Sequence, residues 1–434
     1  MKPLQQMLSV AEARARILDH FLPLDTETIA IAQAAGRVLA EEVIAPHDLP
    51  LFSNSSMDGY AVRVRDVAAA SRDHPVSLRV SGDIPAGAGL PAALADSSAA
   101  RIMTGAPVPA GADAVVPVED TDDGWADAHP SPRQHGTGAP PPAHVRIYRA
   151  AAPGAHIRPV GQDMRAGQVV LQAGVPLGPA GIGVLAALGL ARVRVYRQPL
   201  VAVFSTGDEL CEVDQTPAPG LVHDVNSYAL AAAVARYGGR ALRLDIARDR
   251  AEAVGARLLE ARERGAHVIL SSAGVSVGAY DVVKAAVEAE GALDFWRVRM
   301  RPGKPLAFGS AGGVPFFGLP GNPVSALVGF EVFVRPVVLK LGGHRHWEKP
   351  QVRATLLESI RSDGRESYVR VTLEPCDGGY TARSTGDQGS AVLTSLVRAN
   401  GLLIIPEGAM EAHAGEVYSA WLLEADAGVS ALPA

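Results

Sequence analysis

PLVAVFSTGDE, residues 199–209, is the stretch on which the reading of the fold turns. A short apolar run ending in a glycine-bearing turn reads as a strand entering a loop. A helix follows, with Leu230, Val234 and Tyr237 on one face. Then come the strand ALRLDI (241–246) and a helix that opens with the capping box Asp249-x-x-Glu252 and closes at Gly265. HVIL (267–270) runs into SSAGVSVG (271–278), and a helix starts near Asp281. Strands are expected around Phe295–Val298 and Leu306–Phe308. PFFG (315–318) leads into LPGNP (319–323), where Asn322 caps a last helix with Pro323 at its first position. Alternating strand and helix of this kind predicts an open, mainly parallel sheet with helices on both faces.

Outward from this segment the period changes. VRATL, SYVRVTL, YTARS, LLIIP and VYSAWLL, between residues 342 and 424, alternate with period two and predict a small β-barrel or sandwich. Residues 46–145 read as mostly β, with turns at Asp58-Gly59, Ser81-Gly82-Asp83 and Gly105. Residues 1–45 read as helical, with a strand near the end. Thr121–Ala143 is rich in Pro, Gly and His and reads as a mobile hairpin loop. Residues 166–191 carry no charge, but two glutamines, two prolines and six glycines make a membrane span a poor reading.

A chain of 434 residues suggests two to four domains. Its 48% apolar and 20% charged residues exclude wholesale disorder. Net charge −6 argues against a nucleic-acid partner held by a basic surface. Cys211 and Cys376 are too far apart in sequence for a metal motif and form no disulfide framework, which predicts a reducing, cytoplasmic setting.

Four glycine-bearing turns adjoin strands: STGDE at 205, SSAGVSVG at 271, RPGKP at 301 and GLPGNP at 318. Ligands of open α/β sheets bind beyond the carboxyl ends of strands, and helix N-termini offer free N–H groups to anions. Together the four turns predict a phosphate-bearing ligand. None is a Walker loop. Lys284, early in the helix that begins near Asp281, opposes the helix dipole unless an anion is bound there. Asp281, with Asp208, Glu209 and Asp224 at neighbouring turns, suits Mg²⁺ between phosphates. Arg301 and Lys304, joined by Pro-Gly, predict a cationic clamp for an oxyanion.

Read together, these segments resemble the molybdopterin molybdenumtransferase family, the MoeA proteins and the gephyrin E domain. The resemblance rests on SMDGYAVR from Ser56, RIMTGAPVPAGADAVVPVED from Arg101, HIRPVGQDM from His156, FSTGDEL from Phe204 and HDVNSYAL from His223. It continues through SSAGVSVGAYDVVK from Ser271, MRPGKPLAFG from Met300, GLPGNPVSA from Gly318 and STGDQGSAVLTSL from Ser384. It implies a multidomain α/β plus β chain. An extended N-terminal domain takes 1–45 and 146–191, with its first helix free to pack on the α/β domain. An inserted β-rich domain takes 46–145 with the mobile loop 121–143. A molybdopterin-binding open α/β sheet domain takes 192–341, a C-terminal β-barrel 342–424, and a tail 425–434.

The resemblance implies that adenylylated molybdopterin and molybdate yield molybdenum-loaded molybdopterin and AMP, with Mg²⁺. By matching motifs, Asp281 would bind the metal. Ser205, Thr206, Gly207, Asp208, Glu209, Asp224, Ser271, Ser272, Gly274, Ser276, Gly278, Lys284, Pro320, Gly321, Asn322 and Pro323 would line the pterin-nucleotide site. Arg301, Lys304, Arg365 and Ser390 would hold molybdate. A homodimer would bring Asp58 and Thr104 of one copy towards Asp281 of the other, completing a catalytic set with Lys304. The resemblance also implies a transient contact with the upstream molybdopterin adenylyltransferase, and neither a nucleic acid nor a membrane. The chain departs from the family pattern at Ala273, Ala279 and Gln162. The competing readings are an adenylyltransferase joining ATP to molybdopterin and a non-catalytic scaffold.

Overall fold

A computed structural model describes residues 7–123, 140–272 and 280–423, with backbone only at 280, 281, 295 and 296. The chain divides into two compact units. One comprises residues 1–41, 172–186 and 190–434, the other 42–171 and 187–189.

The first unit is built on a six-stranded sheet. Its strand order is Arg240–Arg243, Leu200–Ser205, Val268–Ser272, Val314–Leu319, Pro305–Ala311 and Gly291–Arg297. The first four are mutually parallel, and Pro305–Ala311 runs antiparallel to both of its neighbours. Alternation along Leu200–Ser205 feeds two cores. Val201 and Val203 pack with Leu230, Val234 and Phe330 on one face, while Ala202 and Phe204 pack with Val254, Leu258 and Val287 on the other. Both faces are covered by helices, as the unbroken apolar run requires. The helix Pro323–Gly329 follows Asn322, continues through a π-turn at Phe330–Val334 and ends as Arg335–Leu341. Asn322 holds the N-cap position, but its side chain makes no capping bond.

The helix Val10–Asp19 begins at Ser9, whose side chain and Glu12 form a capping box. Val10, Ala13 and Ile17 join the core of the α/β sheet beside Val298, Met300 and Phe308.

Five strands close a barrel: Gln351–Leu356, Glu366–Cys376, Gly379–Ser384, Gly401–Ile405 and Val417–Leu422. Closure follows because Glu366–Cys376 pairs with both Gly379–Ser384 and Gly401–Ile405. Ala354, Leu356, Val371, Leu403 and Ala420 fill the interior. Met300–Arg301, just before the RPGKP turn completes, pairs parallel with Glu366 and Ser367 at the start of the longest barrel strand. That pairing ties the α/β sheet to the barrel.

The second unit holds a five-stranded sheet in the order Ala114–Pro117, Gly59–Val62, Ser98–Ile102, Val76–Ile84, His144–Ile147. Three expectations change here. Asp58-Gly59 is not a hairpin turn, because Asn54–Ser55 pairs with Ile157–Arg158 while Gly59–Val62 pairs with two other strands. Glycine is needed at 59 for close approach: a Cβ there would lie 2.0 Å from the Val116 carbonyl oxygen. Ser81-Gly82-Asp83 is not a turn but the bulged middle of Val76–Ile84, where the register shifts between Val80 and Gly82. Ala114–Pro117 and His144–Ile147 sit at opposite ends of the strand order, not as a simple hairpin. Their extensions meet at a Thr121–Ile147 bridge. Residues 124–139 of the expected mobile loop lie outside the described residues.

Within 166–191 the structure has a strand at Val169–Leu171 and a helix at Pro179–Ala187. Among the described residues no helix is long and apolar enough to cross a membrane.

Candidate functional site

The strand order reverses between Leu200–Ser205 and Val268–Ser272: the chain leaves the first towards Arg240–Arg243 and the second towards the opposite edge. The crevice beyond the carboxyl ends at such a point is where open α/β sheets bind ligands. Here a buried polar cluster occupies it. Asp224 accepts hydrogen bonds from Ser205 Oγ (2.7 Å), Ser227 Oγ (2.5 Å) and the Ser227 N–H (3.1 Å). Asn226 Nδ2 donates to Ser272 Oγ and to the Gly321 carbonyl, both at 2.7 Å, and Ser272 Oγ donates to the Pro320 carbonyl (3.2 Å). Three of the four glycine-bearing turns are thus stitched together by side chains. Thr206 Oγ1 and Ser271 Oγ are buried with no hydrogen-bond partner among the described residues. Buried hydroxyls in that state are rare and mark places where a water or ligand completes the bonding.

Asp224→Ala strands Ser205 and the first turn of the Asn226–Arg236 helix. Losing three bonds to a buried carboxylate lowers stability by about 2 kcal/mol. Urea denaturation checks this: a shift below ~0.5 kcal/mol contradicts it.

Asp208 and Glu209 are exposed just past the first strand. Asp249 joins them, its N–H donating to Asp208 Oδ1 (3.3 Å). Burial, and then the charges of Glu209 and Asp208, hold the Asp249 carboxyl above its usual range. This corrects the capping box expected at Asp249. The helix there runs Ala251–Glu263 with Arg250 at the N-cap and no side-chain cap. Asp281 lies at the second position of the helix Tyr280–Glu290, its side chain outside the described residues, as are Gly274, Ser276 and Gly278. Lys284 on that helix sits 3.9 Å from Glu288 one turn on, so part of its charge is balanced within the helix. Pro323 opens its helix, and Gly207 donates its N–H to the Ala247 carbonyl.

The second feature is a cavity of about 350 Å³ between the sheet's RPGKP turn and the barrel. Arg301, Lys304, Arg365 and Ser390 all line it. Positive φ at Gly303 (+107°) lets the chain reverse so that Arg301 and Lys304 flank the same space. Arg365 is paired with Asp363 and donates to the Met300 carbonyl (3.0 Å). Its hydrogen bonds hold the Asp363 carboxyl below the usual range, and Arg301 adds to the effect. The Ser390 carbonyl accepts from the Val324 N–H (3.1 Å), which links the cavity to the GLPGNP turn.

Arg370 and Arg361 also line the cavity, and the sequence reading did not single them out. Arg370 is 2% exposed, with Nε donating to Ser395 Oγ and Nη2 to the Gly389 carbonyl, both at 3.1 Å. Burial, opposed by Asp387, brings its guanidinium down to about 10, so it stays charged at neutral pH. An arginine inside an apolar barrel strand was the signal to notice.

Three family models cover most of the chain in order: the MoeA N-terminal region (domain I and II) over 8–189, a probable molybdopterin binding domain over 202–340, and the MoeA C-terminal region (domain IV) over 353–423. The chain belongs to the MoeA family. It is 40% identical over 422 residues to molybdopterin molybdenumtransferase 2 of Mycobacterium tuberculosis, covering 96% of this chain and 99% of that protein. It is 34% identical to the molybdopterin molybdenumtransferase of Haemophilus influenzae, covering 95% and 98%. A solved molybdopterin biosynthesis moeA protein from Pyrococcus horikoshii matches with TM-score 0.76 and 28% identity over 96% of this chain and all of that one.

In this MoeA chain the second unit brings together Asp58 and Thr104, the two residues expected to serve a second copy. Asp58 Oδ1 accepts from the Thr104 N–H (2.7 Å) and from Thr104 Oγ1 (2.8 Å). The sequence separates these residues widely. The antiparallel pairing of Gly59 with Ile102 brings them together.

Proposed function

We propose that this chain inserts molybdenum in molybdenum cofactor biosynthesis, converting adenylylated molybdopterin and molybdate to molybdenum-loaded molybdopterin and AMP. The observation that carries the reading is the cavity in which Arg301, Lys304, Arg365 and Ser390 meet. It adjoins, through Ser390 and Val324, the turn whose carbonyls bind Ser272 and Asn226. An oxyanion site next to a phosphate-type crevice is what this reaction needs.

The protein's share is positioning and electrostatics. Thr206 and Ser271 offer their hydroxyls to the pterin nucleotide, on a frame held by Ser205, Ser272 and Asn226. Arg301 and Lys304, assisted by Arg365 and Arg370, hold the molybdate dianion. Asp281 would hold Mg²⁺ together with the substrate phosphates, and Asp208, Glu209 and Asp249 add negative charge at a neighbouring turn. Among the described residues no three metal-ligating side chains converge as a cage. A Mg²⁺ bound through one or two carboxylates and substrate phosphates needs none. The raised carboxyl of Asp249 marks a concentration of negative charge that a divalent cation relieves. When bound, the ion neutralises charge developing on the phosphoryl oxygens.

A homodimer in which Asp58 and Thr104 serve the site of a second copy belongs to the same proposal, as does supply of substrate through transient contact with an upstream adenylyltransferase. The unpaired Cys211 and Cys376 support a cytoplasmic setting.

The test is AMP release from adenylylated molybdopterin with Mg²⁺, with and without molybdate. Molybdate-dependent release, reduced at least a hundredfold in Asp281→Ala, is expected. Intact adenylylated pterin in the presence of molybdate, despite binding, overturns the reading.

A further inference from the structure

The cavity holds more positive charge than its two held arginines account for. Arg365 is neutralised by Asp363, and Arg370 is fixed by Ser395 and by barrel carbonyls. Among the described residues, Arg301, Lys304 and Arg361 have no carboxylate within 4 Å, and each is solvent-exposed. Arg361 is the unexpected member. It stands on the short strand Ile360–Arg361, directly across from Glu411. A cross-strand carboxylate is the ordinary partner for an arginine. Glu411 instead lies 4.0 Å from His413, and Arg361 lines the cavity.

We propose that Arg361 is a capture residue at the cavity mouth, an unpaired cation that draws the tetrahedral oxyanion dianion towards Arg301 and Lys304. This rests on the reading of the cavity as the molybdate site. Arg361 acts through its charge and needs no fixed bond to the bound anion. Three like charges around one space concentrate a dianion far more than isolated ones, and the effect fades with salt. One unit charge acting on a dianion through water from roughly 8 Å changes its local concentration about fivefold.

The experiment is calorimetric titration of the full-length protein with molybdate at low and at high NaCl. It compares wild type, Arg361→Lys, Arg361→Gln and Arg361→Glu, with Lys304→Gln as a control inside the clamp. The expected result at low salt is a Kd about fivefold weaker for Arg361→Gln and weaker still for Arg361→Glu. Arg361→Lys stays close to wild type. At ~1 M salt, where the screening length is about 3 Å, the ratio of Arg361→Gln to wild type falls towards one. Lys304→Gln keeps a deficit at high salt, because its contact is direct. An Arg361→Gln variant that binds as wild type at low salt overturns the capture role. So does an Arg361→Lys variant as weak as Arg361→Gln, since packing rather than charge would then be responsible. If wild type itself takes up no molybdate, the reading of the cavity fails, and the capture role with it.

Discussion

Lys304→Ala loses roughly two to three orders of magnitude in molybdate-dependent AMP release while adenylylated molybdopterin still binds. Lys304 lines the cavity from the sheet side, held there by the turn at Gly303 and by its own carbonyl, which accepts from the Val298 N–H at 3.0 Å. Its ammonium is not spent on a carboxylate among the described residues, so its charge is available to the oxyanion. Preorganised donors aimed at developing or bound negative charge are worth a hundred- to a thousandfold each when removed. The pterin-side hydroxyls lie on other turns and keep their bonds in the variant. Steady-state AMP release at saturating pterin nucleotide, with molybdate varied, measures the effect. A loss under tenfold with an unchanged KM for molybdate removes Lys304 from the clamp.

Glu331→Gln destabilises the first unit by about 3–5 kcal/mol. Glu331 lies in the π-turn of the long C-terminal helix of the α/β domain. It accepts from Lys349 Nζ (2.6 Å) and from the Tyr237 hydroxyl (2.9 and 3.1 Å), and Arg335 Nε is 3.5 Å away. The side chains of Lys349 and Arg335 are 2% and 3% exposed. Removing this carboxylate takes the nearest anion from two buried cations, and breaking a buried pair from one side is costly in this range. Glu331→Gln keeps the shape, so packing loss does not explain the result.

The pH dependence has a defined sign. Burial lowers the Lys349 pKa below its usual 10.5, and Glu331 opposes that shift. Without Glu331 the folded pKa falls further. Between that value and 10.5 the unfolded chain binds more protons than the folded one, so stability rises with pH. The deficit of Glu331→Gln therefore shrinks from pH 7 towards pH 10. Adding Lys349→Met restores part of the stability at pH 7. Urea melts of the three proteins at two pH values test this. A Glu331→Gln loss below 1 kcal/mol, or one that grows with pH, contradicts it.

Much of the α/β domain was legible because its signals are local. Leu200–Ser205 and Val268–Ser272 announce themselves as apolar runs that end in serine and glycine turns. The barrel strands show period two. Local signals also misled. Asp249 three residues before Glu252 matches a capping box, yet the helix starts later and Asp249 meets Asp208 instead. Ser81-Gly82-Asp83 has the composition of a turn, but the flanking strand pairs through it with a bulge. Competition between a local preference and a ladder of backbone hydrogen bonds is decided by the ladder's neighbours, which a single segment does not contain.

What the sequence determined by itself is the order of elements, the fold class of the central domain and the residue types able to bind phosphate and oxyanion. Family resemblance supplied the roles proposed for Arg301, Lys304, Arg365 and Ser390. Only the tertiary structure decided that these four share one cavity. Met300–Arg301 pairs with a barrel strand whose residues come much later in the chain, and that pairing brings Arg361 and Arg370 to the same space. Electrostatic work depends on separation in space. Chain order carries periodicity and turn chemistry, but the distances between charges exist only once the strands have paired.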